Sequence, residues 1–164
     1  MHDQGTCPQY FVASDVPLPT IDWKKHRQPF WARELTAYEH GVIRHLSKNH
    51  VYFVGSHTGC CCGFVYGATP EDDSWTYNRK HEKSAWKQAV LRNAAARRKE
   101  SLRRLADYLF EALKCTNEVE LFYCWEGQEG EEPTRRRTTL LEELIANDFA
   151  LGEKELVTIQ KSRE

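Results

Sequence analysis

Residues 51–67, VYFVGSHTGCCCGFVYG, constrain this chain most, because two apolar runs (51–54 and 64–66) flank a bend of Gly, Ser, Thr, His and Cys. Short β-branched and aromatic runs bounded by turn residues read as strands. The nine residues between them, 55–63, exceed what a tight hairpin needs. Three glycines in that span predict a shaped loop joining an antiparallel pair.

The rest of the pattern sets this pair in a sheet. Residues 9–14 (QYFVAS) and 119–125 (VELFYCW) read as strands, 30–35 as a weaker one, and 149–151 with 156–159 as a last strand or small hairpin around Gly152. Pro17, Pro19 and Pro29 interrupt 15–29, which predicts an irregular crossing anchored by Ile21 and Trp23. Thr36 followed by Glu39 is a capping-box pattern, and Tyr38, Val42 and Leu46 at intervals of four predict a helix over 37–47. Gly41 inside it costs about 1 kcal/mol relative to Ala. Leu102, Leu105, Ala106, Leu109 and Leu113 mark one apolar face of a long helical stretch, 82–116. Its first half, 83–98, has a weaker stripe, and a break is expected near 99–101. Thr139 and Glu142 repeat the capping signature before Leu141, Leu144 and Ile145, predicting a short helix that ends near Asn147. Together these give one α+β domain over residues 1–164: a mixed or mainly antiparallel sheet with two or three helices packed on it. Residues 68–100 form an exposed excursion and a basic helical extension.

Composition narrows the function classes. Apolar content of 40% with 12% aromatics fits a folded globule, and a net charge of −1 gives no general attraction to nucleic acid or membrane. No apolar run approaches the ~20 residues that span a bilayer. The first residues lack a basic start and an apolar core, so no export signal is expected. Six cysteines without an export route point to a reducing cytoplasm, where thiols stay free or bind metal. No P-loop, GxGxxG, HExxH or GxSxG pattern occurs.

The chemistry, where there is any, should sit at 55–63. His57, Cys60, Cys61 and Cys62 are neighbours there; Cys124, at a strand end, and Cys7, before the first strand, join them only if the sheet order brings those ends together. Three readings stand side by side. As a soft-metal site for zinc or Cu(I), the ligands are His57, Cys60, Cys62 and Cys124, although no CxxC knuckle is present. As a reactive-thiol site, Cys60 or Cys62 is the nucleophile, His57 its proton partner and Glu126 an orienting carboxylate, with backbone amides of 55–63 free to stabilise an anion. The third reading has no metal and no reaction: small buried cysteines in a tight turn.

The stretch Gly55-Ser56-His57-Thr58-Gly59-Cys60-Cys61-Cys62-Gly63-Phe64 resembles a group of small uncharacterised bacterial proteins carrying a GSHxGCxCGF-like segment. The likeness extends to 17–23 and to the CWEG segment at 124–127. It implies no catalytic roles. Cys61 stands where that group has glycine, which makes it the least needed of the three.

Charge offers a reading of another class. Residues 83–104 hold eight bases against Glu100 alone, residues 118–132 hold six acids and no base, and Arg135-Arg136-Arg137 follows. The basic stretch, with Trp75, Tyr77 and Trp86 nearby, invites comparison with nucleic-acid binding, but it lacks any recognised module of that kind. The favoured reading is a solvated helix face complemented by the acidic segment, within the molecule or across a homodimer. A non-catalytic interaction module using 83–104 and 118–132 is therefore the alternative to a thiol site.

Overall fold

The seven residues Pro8–Ser14 are all buried, as a strand covered on both faces must be, and this strand, β1, lies inside the sheet. The computed structural model describes residues 7–25, 28–65 and 85–162. β2 (Phe30–Glu34), β3 (His50–Ser56), β4 (Glu118–Trp125), β5 (Arg135–Leu140) and β6 (Glu155–Gln160) complete a six-stranded sheet ordered β2-β3-β1-β4-β6-β5. Every neighbouring pair is antiparallel except β5 with β6, so the sheet is mixed and the fold is α+β.

Alternation along β1 separates two faces. Phe11 lies opposite Phe53 of β3 and Phe122 of β4, whereas Tyr10 lies opposite Val54 and Tyr123. The Tyr10 face receives α2 (Ala85–Cys115), whose Leu102, Leu105, Leu109 and Leu113 are buried. Burying a leucine is worth about 1.5–3 kcal/mol, so these four anchor the helix from its C-terminal half. Tyr108 adds a ring contact 5.1 Å from Phe30 and donates its hydroxyl to Pro19 O at 3.0 Å. On the Phe11 face, the His45 ring lies 6.2 Å from Phe122 and the Arg33 guanidinium 4.3 Å over Phe53. The crossing is anchored as expected: Ile21 bridges to Ala32 and Trp23 lies 6.3 Å from Trp31.

Several elements differ from the sequence pattern. Residues 37–47 contain a 3-10 helix, Ala37–Arg44, in place of an α-helix. Its inward residues Glu39 and Val42, continued by His45, recur every three positions, and residues three apart eclipse in a 3-10 turn. Tyr38, counted on a period of four, is 94% exposed. Gly41 is there because of a close approach: a Cβ would stand 3.0 Å from Gly130 Cα. Residues 64 and 65 belong not to a strand but to α1 (Cys62–Val65), a single turn that drives Phe64 beneath the sheet between Tyr10 (5.3 Å) and Phe30 (6.4 Å). α2 runs unbroken through 99–101. β5, RRRTTL, has no apolar alternation and is held as an edge strand by parallel pairing with β6. α3 (Leu141–Ala146) starts two residues after Thr139, which ends in β5 and gives its hydroxyl to Glu143. Residues 149–151 are not a strand, because Asp148 and Phe149 both take left-handed backbone at φ 54° and turn the chain. The excursion expected at 68–81 lies outside the described residues.

The charged segments find their partners locally. Glu118 pairs with Lys48 at 2.8 Å, Glu131 with Lys154 at 2.7 Å, and Glu120 accepts from Ser47 N and Oγ. Arg103 and Arg104 pair with Glu100 on their own helix. Among the described residues, then, no ion pair joins the acidic segment to α2. Among them, too, no helix is long and apolar enough to cross a membrane.

Candidate thiolate site

Because β1 runs antiparallel to both β3 and β4, its beginning lies beside the places where those two strands end. Cys7 precedes β1, and its carbonyl accepts from Glu126 N at 2.9 Å just beyond β4. From the end of β3, residues 57–61 fold back on a hydroxyl network. Ser56 N–H and Oγ–H both donate to Cys60 O, at 2.8 and 2.7 Å, and Ser56 Oγ accepts from Gly63 N at 3.0 Å. Gly59 turns the chain at φ +80°. Gly63 leaves no room for a side chain: a Cβ would stand 2.6 Å from His57 Cε1 and nearer still to Ser56 Oγ.

The result is a cluster. The sulfurs of Cys7, Cys60 and Cys62 all lie within 4.8 Å of one another, each residue half-buried. Cys60 is the negative pole. Hydrogen bonds from the Cys62 thiol, then the Thr58 hydroxyl, the Cys62 N–H and the Cys7 thiol outweigh its burial and bring its pKa down to about 5. Thr58 Oγ1 and Cys62 N each stand 3.3 Å from Cys60 Sγ. Donating to Cys60, together with burial, pushes the Cys62 thiol up, and burial pushes Cys7 up as well. One thiolate held by two thiols is the consistent protonation state.

The other sequence candidates are placed elsewhere. His57 is bound to the long helix, its Nδ1 2.9 Å from Ser101 Oγ and its backbone N–H donating to the same oxygen at 3.2 Å. Burial, followed by the charge of Arg97, lowers the pKa of its ring. It is not in the sulfur cluster and is not among the groups that lower Cys60. Cys61 is fully buried, donating to Val54 O at 2.9 Å and accepting from Tyr10 N at 3.3 Å, so it staples the loop to the two strands. Cys124 is buried in β4 and shares the face of Phe122 by alternation; burial raises its pKa. Glu126 is exposed; it positions the Cys7 carbonyl, and its charge helps raise the Cys7 thiol.

The pattern of residues alone therefore identifies two of the three sulfurs. Cys7 depends on strand order, which no local pattern encodes. Ser56 and Thr58, which organise the loop, carry a recognisable signal: hydroxyl residues two apart at a strand end favour local side-chain-to-backbone bonds. Compared with protein-family models, with curated proteins and with solved structures, the chain matches none, so a functional reading rests on the geometry of the three sulfurs.

Proposed function

We propose that this protein binds a thiophilic metal ion, zinc or Cu(I), through Cys7, Cys60 and Cys62. The observation that carries this reading is the convergence of three thiols within 4.8 Å from two separate parts of the chain. Thiolates are strong ligands for soft and borderline ions, and a bound cation relieves the cost of gathering sulfur charge in a half-buried place. All six cysteines are unpaired, which suits a thiol site in a reducing compartment such as the cytoplasm. The expected result is one metal ion per chain in protein loaded with zinc or Cu(I) under reducing conditions and then desalted. Cys7→Ser, Cys60→Ser and Cys62→Ser should each lose it, while His57→Ala and Cys124→Ser retain it. A metal content near zero for the unaltered protein with both ions would end this reading.

A second reading has an observation of its own. Cys60 accepts hydrogen bonds that stabilise its thiolate, and such a thiolate on a half-buried loop is a nucleophile toward electrophilic carbon or sulfur. It needs no imidazole, and His57 is engaged with Ser101. Preferential labelling of Cys60 by iodoacetamide at acidic pH is its signature; equal labelling of Cys60 and the exposed Cys115 would exclude it.

A further inference from the structure

Resting on the metal reading above, we infer that the ion is three-coordinate Cu(I), bound by sulfur alone and exchanged through the open side of the cluster. Distance does not decide between ions. At a metal–sulfur bond of about 2.3 Å, sulfurs around a tetrahedral ion lie about 3.8 Å apart and those around a trigonal one about 4.0 Å, both inside the observed 4.8 Å.

The donors among the described residues favour one ion. All six cysteines are among the described residues, so the thiol inventory is complete. Cys61 gives its S–H to Val54 O, and Cys124 is buried within β4. Cys115 lies fourteen residues beyond Ser101 on α2, about 21 Å at 1.5 Å per residue, whereas Ser101 is where that helix meets the loop. The imidazole of the loop, His57, falls outside the sulfur cluster, with its Nδ1 on Ser101. Three sulfurs therefore converge without a fourth donor among the described residues.

Structural zinc sites are closed by four protein ligands, and a zinc held by three needs a water or other outside ligand in the fourth position. Cu(I), a closed-shell soft ion well matched to thiolate, is satisfied by two or three thiolates with no outside ligand. All three cysteines are half-buried rather than enclosed, so an incoming thiolate has a path to the ion. Loading then proceeds by ligand exchange with a low-molecular-weight thiol that carries Cu(I). Each copper–sulfur bond formed to the protein replaces one to the carrier, and the proton leaving Cys7 or Cys62 goes to the departing carrier thiolate. No electron is transferred, because copper stays Cu(I) throughout.

The test is anaerobic titration of the full chain with Cu(I) in competition with bathocuproine disulfonate, alongside Zn(II) and Co(II) titrations. X-ray absorption on the copper-loaded, unaltered protein needs no variant. The expected result is one Cu(I) per chain in a three-sulfur shell. Cys7→Ser, Cys60→Ser and Cys62→Ser, each checked for fold by far-UV circular dichroism, should weaken it beyond the roughly 10–100-fold typical of losing a mere outer-shell partner. Co(II) should give no intense tetrahedral bands, and His57→Ala should leave Cu(I) affinity unchanged. A four-coordinate shell with a nitrogen or oxygen ligand, or Zn(II) displacing Cu(I) at equal concentration, would overturn the assignment of Cu(I) while leaving metal binding intact. Retention of neither ion would remove both.

Discussion

Cys60 gathers the polar groups of its loop: Thr58 Oγ1 and the Cys62 N–H stand 3.3 Å from its sulfur, and the Cys62 and Cys7 thiols complete the shell. With its pKa near 5 against an ordinary 9.0, Cys60 is half thiolate at that value and mainly thiolate at neutral pH. Alkylation of Cys60 should therefore rise with a midpoint near pH 5 and be flat at neutrality, whereas Cys62, pushed the other way, should not react until strongly alkaline pH. Iodoacetamide labelling resolved by peptide mass spectrometry measures both curves. Thr58→Val removes one donor and should move the Cys60 midpoint upward; no movement would mean that the hydroxyl contributes nothing. Cys60 and Cys62 were legible in the sequence because they are two residues apart on a glycine-punctuated bend. His57, adjacent in sequence, lies outside the sulfur cluster. Adjacency in sequence does not fix side-chain direction, and here Ser101 on a distant helix takes the ring.

At the scale of elements, what was legible followed from periodicity. β1, β3, β4 and the leucine face of α2 are apolar in the rhythm of their own geometry, and each lies within a few residues of its expected place. The helix at Ala37–Arg44 is legible but its 3-10 type is not, because a segment with period three also satisfies a loose period of four. β5 was invisible because an exposed edge strand needs no apolar side chains. Two predictions belong here. The 3-10 helix is tied to β2 by Glu39, which accepts from Arg33 at 2.6 and 2.7 Å and from Thr36 N at 2.8 Å. Burial works against the charge of Glu39, but these bonds outweigh it and hold its pKa below the usual 4.5. A depressed carboxylate stabilises the fold fully above its unfolded value and loses that contribution as pH falls through the folded one. Glu39→Gln should thus cost about 1–3 kcal/mol at pH 7, the partial exposure of Arg33 favouring the lower end. The gap should close below pH 4.5, and urea unfolding at pH 7 and pH 3 reads it. A constant gap would place the effect in packing. α1 supplies the second prediction: Phe64 is 1% exposed among aromatic rings, so Phe64→Ala should cost about 3–5 kcal/mol. Phe64→Leu should cost much less, since Leu refills most of that volume. Equal costs for the two substitutions would mean that the ring of Phe64 is not packed at this place.

For the whole molecule, the sulfur cluster joins parts of the chain that the sheet alone holds by strand ends. Cys7 stands at the start of β1, Cys60 and Cys62 on the loop after β3, and the Cys7 carbonyl is fixed to the residue after β4. A metal bound by all three thiolates thus staples the start of β1 to the loop that closes β3. An unfolded chain does not hold those sulfurs together, so metal binding must be linked to folding. The stabilisation follows mass action: at free metal one hundred times the dissociation constant it is about 2.7 kcal/mol. For a chain of this size each kcal/mol moves the melting temperature by about 2–4 °C, which puts the expected rise near 5–10 °C. Calorimetry under anaerobic, reducing conditions should show that rise on adding Cu(I) and its loss on adding an excess of bathocuproine disulfonate. Cys7→Ser, which removes the sulfur on the β1 side, should abolish most of the rise while leaving the metal-free melting temperature nearly unchanged, because Cys7 lies outside the strand ladder. If Cys7→Ser protein gains as much as the unaltered chain, the ion is held by the loop alone, and the convergence of two chain segments has no part in binding it.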